Sequence, residues 1–124
     1  MIVLVDTDVL IEYLRGNEAV VRKLTIAYKK GEKLCYSPVN RAEIIAGLRK
    51  GEEEITSKLF SLMECLKIDE TTGHTAGEYM KRYRSSHKVE IADALIAATV
   101  SNHSISLWTF NRKHYPMKDI KFYE

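Results

Sequence analysis

The sequence predicts a single α/β domain spanning residues 1–124, with a short parallel sheet of four to five strands between two layers of helices. Three observations point there. Short apolar runs alternate with amphipathic helical stretches along the whole chain. The first run, Ile2-Val3-Leu4-Val5, is apolar without alternation, as in a strand buried on both faces. No repeat, linker or low-complexity segment interrupts the pattern, and 124 residues is the size of one compact domain.

The elements follow in order. Asp6-Thr7-Asp8 ends the first strand and can cap a helix from Val9 to Leu14, which Gly16-Asn17 stops. Asn17 caps a second helix carrying Val20, Val21, Leu24, Ile26, Ala27 and Tyr28, and Gly31 closes it. Lys33 to Tyr36 is a second strand. Ser37-Pro38 reads as the N-cap and first residue of a helix that ends near Gly51. Glu52 to Glu64 is a further amphipathic helix, and Leu66-Lys67-Ile68 a third strand. Thr71 to His87 is helical, with Ala76, Tyr79, Met80 and Tyr83 on one side. Ile91 to Val100 is a helix apolar nearly all round. Ile105 to Thr109 is a fourth strand, and Ile120 to Tyr123 a candidate fifth.

Composition narrows the class. The chain is 45% hydrophobic and 29% charged, which excludes a disordered or fibrous protein. Its 19 Lys+Arg against 17 Asp+Glu leave a formal charge of only +2, too small to announce a nucleic-acid binder. Acids gathered in one pocket would leave the remaining surface more basic than this total suggests. Cys35 and Cys65 lie in apolar stretches without metal-ligand spacing, so both read as core residues of a reducing compartment. The apolar runs are too short to span a bilayer, and the start does not read as a signal peptide. The expected location is the cytoplasm.

In a parallel α/β sheet, ligands bind beyond the carboxyl ends of the strands. Asp6 stands at such an end, where an aspartate is as readily a helix cap as a site acid. Glu43 lies in the early turns of a helix among Val39, Ala42 and Ile45, either at the edge of the buried stripe or as an exposed acid favouring the helix dipole. Asp93 heads Ala94-Leu95-Ile96-Ala97-Ala98, where a carboxylate must be paired, capped or metal-bound. Thr109-Phe110-Asn111 follows the fourth strand at another carboxyl edge. Three acids and an Asn thus arrive from four segments. Oxygen ligands suit Mg²⁺ or Mn²⁺, whereas His74, His87, His103 and His114 show no zinc-site spacing. Clustered carboxylates with such an ion suit attack by an activated water on a phosphate ester.

The residues at this point resemble the PIN-domain family, and within it the VapC-type toxins of prokaryotic toxin–antitoxin pairs. The resemblance spans the whole chain. It rests on Val5-Asp6-Thr7-Asp8-Val9-Leu10-Ile11, Ala42-Glu43-Ile44-Ile45-Ala46-Gly47-Leu48, Ile91-Ala92-Asp93-Ala94-Leu95-Ile96-Ala97-Ala98 and Thr109-Phe110-Asn111-Arg112-Lys113-His114-Tyr115. It implies a PIN-like three-layer α/β/α domain and Mg²⁺- or Mn²⁺-dependent cleavage of RNA. It implies Asp6, Glu43 and Asp93 as metal ligands, with Asn111 where many members carry a fourth Asp. An amide offers an oxygen without charge, so one firmly held metal is expected rather than two. A homodimer and an antitoxin that blocks the site are implied as partners.

Other residues take second rank. Asp8 reads as the helix cap or as a residue supporting the metal site. Glu90 stands three residues before Asp93 and either shares its side of the helix entrance or is simply solvated. Thr109 supports the site through its hydroxyl or is a strand residue satisfied by backbone. Arg41, Arg82, Arg84, Arg112 and Lys113 are candidate RNA-phosphate contacts, alongside Lys81, Lys88 and His114. Tyr83 or Tyr115 could stack on a base. His114 reads as a structural hydrogen-bonder rather than a general acid. Two rivals stand beside the ribonuclease. Asp6-Thr7-Asp8-Val9 also resembles the opening of haloacid-dehalogenase-type phosphatases, but their later acidic pair has no counterpart around Asp93. A catalytically weak PIN-fold binding module, marked by Asn111, is the alternative from outside the enzymes.

Overall fold

The computed structural model describes residues 1–124. The strands are β1 (Ile2–Val5), β2 (Lys33–Tyr36), β3 (Glu64–Cys65), β4 (Ser106–Trp108) and β5 (Lys121–Phe122). The helices are α1 (Thr7–Leu14), α2 (Glu18–Lys29), α3 (Pro38–Ala46), α4 (Glu53–Ser61), α5 (Glu70–His87) and α6 (Ile91–His103), with a single 3₁₀ turn at Arg112–His114. All strands are parallel, in the order β3-β2-β1-β4-β5. The expected three-layer α/β/α architecture is therefore present, with the full five strands.

The sheet divides the core by the alternation of its side chains. Val3 and Val5 of β1, Leu34 and Tyr36 of β2 and Trp108 of β4 face α1 to α4, where Val9, Leu10, Leu24, Ile44, Leu59 and Phe60 meet them. Leu4 and Leu107 face the other way, toward Ala76 and Tyr79 of α5 and Ala94, Ile96, Ala97 and Val100 of α6. Val3, Leu4 and Val5 are fully buried, as an unalternated apolar strand requires.

Helix boundaries follow local chemistry. Asp6 and Asn17 cap α1 and α2 through their side chains. Ser37 caps α3 in a reciprocal box with Asn40, with Pro38 at the first helical position. That helix stops at Ala46, well before Gly51, because Gly47 already serves as its C-cap. Two expectations need correcting. The third strand is Glu64–Cys65 rather than Leu66 to Ile68: Cys35 pairs with Glu64 and Tyr36 with Cys65. Cys65 is exposed on this edge strand, so only Cys35 is a core cysteine.

The strand order decides where a site can form. The chain moves outward from β1 to β2 and β3, then returns to the other side of β1 for β4 and β5. Crossovers leaving β1 and β4 in opposite directions open a crevice beyond their carboxyl ends. Val5 pairs with Trp108, so Asp6 and Thr109 are the first residues past the sheet on either side of that crevice.

Candidate active site

Asp6 stands just past the carboxyl end of β1, only 7% exposed. Its backbone N–H donates to the Trp108 carbonyl at 2.9 Å, extending the β1–β4 ladder by one bond. One carboxylate oxygen, Oδ1, accepts from the Thr7 N–H at 2.8 Å and so caps α1. The other, Oδ2, accepts from the hydroxyls of Thr109 and Tyr115, each at 2.8 Å. The cap therefore uses one oxygen of Asp6, and the other is turned to the side chains of the β4 end.

Asp8 is not the cap of α1. Its Oδ1 accepts from the Val9 N–H at 2.8 Å. Its Oδ2 reaches across to the segment after β4, accepting from the Phe110 N–H and the Asn111 side-chain amide, each at 3.1 Å. Burial raises the Asp8 pKa, and the neighbouring Asp6 charge adds to the rise. A carboxylate only accepts, so the end of Asn111 facing Asp8 is its NH₂. The amide oxygen is therefore the end left for another ligand. Thr109 joins these groups: its hydroxyl donates to Asp6 and accepts the Asn111 N–H at 3.1 Å.

Glu43 is an exposed residue of α3 rather than one at the edge of the buried stripe, yet its carboxylate is tethered. The Thr7 hydroxyl donates to its Oε1 at 2.6 Å. Asp93 occupies the third position of α6 and makes no cap, since Glu90 holds the N-cap position, itself without a side-chain cap bond. Burial pushes the Asp93 carboxyl up to about 6; Asp6, Glu43 and Glu90 add to the rise, and His114 opposes it. His114 Nδ1 lies 3.9 Å from Asp93 Oδ2, too far for a hydrogen bond. Direct contacts link the segments that carry these acids: Thr7 reaches Glu43, Tyr115 reaches Asp6, and His114, next to Tyr115, lies beside Asp93.

These acids do not close on one another. No three Asp, Glu, His or Cys side chains stand near enough together to enclose a metal ion. The donor chemistry nevertheless fits a hard cation: oxygen atoms, three carboxylates and an amide oxygen, with an Asp93 proton affinity raised by burial and then by its like-charged neighbours. Mg²⁺ keeps several waters and takes only one or two carboxylates directly, so an open set is compatible with it.

From the sequence alone, Thr7 and Asn40 have no assigned role here, and Tyr115 has a different one. Thr7 is buried and carries Glu43. Asn40 is fully buried and donates to Thr7 at 3.0 Å; its spacing of three from Ser37 was the available signal. Tyr115 is 3% exposed and committed to Asp6, so it cannot stack on a base. Its hydroxyl is strongly biased toward the neutral form by burial and by the Asp6, Asp93 and Asp8 charges.

The candidate cations spread over several surfaces. Arg112 and Lys113 follow Asn111 in the 3₁₀ turn, with the Arg112 guanidinium 4.9 Å from the Phe122 ring centroid and 3.3 Å from Glu124. Arg41 leans over Phe60, 4.6 Å from its ring centroid, and donates to the Tyr36 hydroxyl. Arg82 and Arg84 are exposed near the end of α5, Arg82 6.0 Å from the Tyr83 ring centroid. Partly buried Tyr83 also packs edge-on to His87.

Comparison with known proteins identifies the family. The PIN domain family matches residues 3–121. Ribonuclease VapC10 of Mycobacterium tuberculosis is 38% identical over 116 residues, covering 93% of this chain and 86% of that protein. Ribonuclease VapC19 of the same organism is 34% identical over 115 residues, covering 92% of each. A solved structure of DNA-bound VapBC from Salmonella typhimurium superposes with a TM-score of 0.83 at 18% identity, covering 99% of this chain and 97% of that one, a likeness of fold. The match across nearly the whole chain, with both relatives above 30% identity, settles the family: this chain is a PIN-domain protein of the VapC group.

Proposed function

We propose that the chain is an Mg²⁺- or Mn²⁺-dependent endoribonuclease, the toxin of a toxin–antitoxin pair. The observation that carries the reading is that the turn after β1 bonds Glu43 through Thr7 and, through Asp6, bonds Thr109 and Tyr115, whose neighbour His114 lies beside Asp93. The family adds weight, as do the two relatives called ribonucleases.

The side chains divide the work. Asp6, Glu43 and Asp93 would hold the cation, and the Asn111 amide oxygen would add a neutral fourth donor. The bound ion would neutralise phosphate charge and lower the pKa of a water that attacks the phosphodiester. Thr109 and Tyr115 fix the rotamer of Asp6, and Asp8 fixes the amide of Asn111. Arg112 and Lys113 lie nearest Asn111 in sequence and would hold the strand by its phosphates. Phe110, 53% exposed beside Asn111, replaces Tyr115 as the ring placed to stack on a base. An antitoxin that silences the site and a second copy of the chain are the proposed protein partners.

RNA cleavage in Mn²⁺ or Mg²⁺, wild type against Asp93→Asn, tests the reading. Losing one charged ligand removes several kcal/mol of transition-state stabilisation, a fall of ~10²-fold or more. Equal cleavage by both proteins, or none by either across a broad RNA set, would sink it. The second outcome would favour a binding module, the reading to which the neutral Asn111 and the open arrangement of the acids lend support.

A further inference from the structure

Glu43 is exposed, and a glutamate on a helix surface has three side-chain torsions free to wander. Its carboxylate is held from inside the protein by a line of hydrogen bonds whose direction is set by backbone. The Ser37 N–H donates to Asn40 Oδ1 at 2.8 Å. A backbone N–H only donates, so that end of the Asn40 amide is the oxygen. The Ser37 hydroxyl donates to the same oxygen at 2.9 Å. The other end is then NH₂, which only donates, and it lies 3.0 Å from Thr7 Oγ1. Thr7 therefore receives there and has its own proton left for Glu43 Oε1, 2.6 Å away. Ser37 and Asn40 are fully buried and Thr7 nearly so, so water does not compete for the bonds that orient the Thr7 hydroxyl.

We infer that Asn40 and Thr7 are positioning residues for Glu43, holding its carboxylate in the pose in which it serves a divalent cation. The inference rests on the metal-site reading above. Thr7 does this from the residue after Asp6, so one turn of chain at the end of β1 sets two of the three acids. Asn40 stands three residues before Glu43 on α3, which ties the direction of the line to the cap of the same helix. Thr7 without Asn40 keeps a hydroxyl free to turn either way. With Asn40 in place, only the orientation that faces Glu43 satisfies both partners.

Mn²⁺ binding by calorimetry on the intact chain, without RNA, provides the test. Thr7→Val keeps the shape and removes the hydroxyl. Its affinity for Mn²⁺ is expected to fall three- to tenfold, and Thr7→Ser to recover to within twofold of wild type. In a Glu43→Ala background the Thr7→Val change is expected to have no further effect, whereas a merely structural role would weaken binding equally in both backgrounds. A second reading needs no Thr7 variant. The Thr7 hydroxyl proton is expected to exchange slowly enough for detection by NMR in the wild type, and to exchange faster in Glu43→Ala. Unchanged Mn²⁺ affinity in Thr7→Val, an equal loss in both backgrounds, or a hydroxyl proton indifferent to Glu43 would each overturn the positioning role alone. Absence of Mn²⁺ binding by the wild type would overturn the metal site itself.

Discussion

Thr109 and Tyr115 place two hydroxyl donors on one oxygen of Asp6. A hydrogen bond to a charged group contributes ~1.5–3 kcal/mol, and a second donor on the same oxygen contributes less than the first. Tyr115→Phe keeps the ring in its buried place and removes only the hydroxyl. It is expected to lower stability by ~1 kcal/mol in urea denaturation with EDTA present. Thr109→Val removes the bond to Asp6 and the acceptor of the Asn111 N–H together, and is expected to cost more. Stability equal to wild type in both variants would mean that neither hydroxyl holds Asp6. Residue types of this kind explain what was legible. Asp6, Glu43, Asp93 and Asn111 interrupt apolar stretches, so the sequence itself draws the eye to them. Thr7, Asn40 and Tyr115 break no pattern. Their roles come from pairings between residues 33 and 109 positions apart, which only the fold creates.

Among the elements, α3 shows how a local signal and a site are joined. Its cap was readable from Ser37-Pro38, because those residue types have fixed uses at a helix start. Ser37→Ala is expected to cost ~1 kcal/mol of stability, the ordinary value of a lost cap. The Ser37 N–H survives that change and still fixes the Asn40 amide, so Mn²⁺ affinity is expected to stay within twofold of wild type. A large loss of affinity in calorimetry would place the hydroxyl, rather than the backbone, at the head of the line to Glu43. Strand β3 shows the opposite case. Leu66-Lys67-Ile68 carries the apolar alternation of a strand, but the ladder uses Glu64–Cys65, both exposed. An edge strand of two residues is chosen by its neighbour: Tyr36 accepts the Leu66 N–H at 2.8 Å, and Lys33 meets Glu64 at 2.6 Å. Such pairing leaves no periodic trace, and Cys65 was carried to the wrong environment with it. The deeply buried elements, β1 and α6 among them, are legible because burial shapes most of their residues at once.

At the scale of the whole molecule, the site opposes the fold that holds it. Asp93 is pushed from 3.8 up to about 6, chiefly by burial, and the Asp8 pKa is raised from the same cause. A carboxyl whose pKa is higher in the folded protein than in the unfolded chain keeps its proton longer when folded. Stability from that group is complete below about pH 4 and declines as pH rises through about 6. The shift of Asp93 corresponds to at most ~3 kcal/mol, and screening at a side chain one-quarter exposed reduces it to roughly 1–2 kcal/mol. Asp69 and Asp119 have lowered pKa values and act in the opposite direction, so the wild-type curve alone is a mixture. The difference between Asp93→Asn and wild type separates them. In EDTA, urea denaturation from pH 4 to pH 7 is expected to show the variant gaining roughly 1–2 kcal/mol on wild type. A difference that stays flat across that range would remove the electrostatic cost assigned to Asp93. Saturating Mn²⁺ is expected to reverse the order at pH 7, because an ion that binds only the folded state adds ~2.7 kcal/mol at a hundred times its Kd. The cation then does for the fold what protons do at low pH, and the wild type, with its full set of charges, gains more from it than Asp93→Asn.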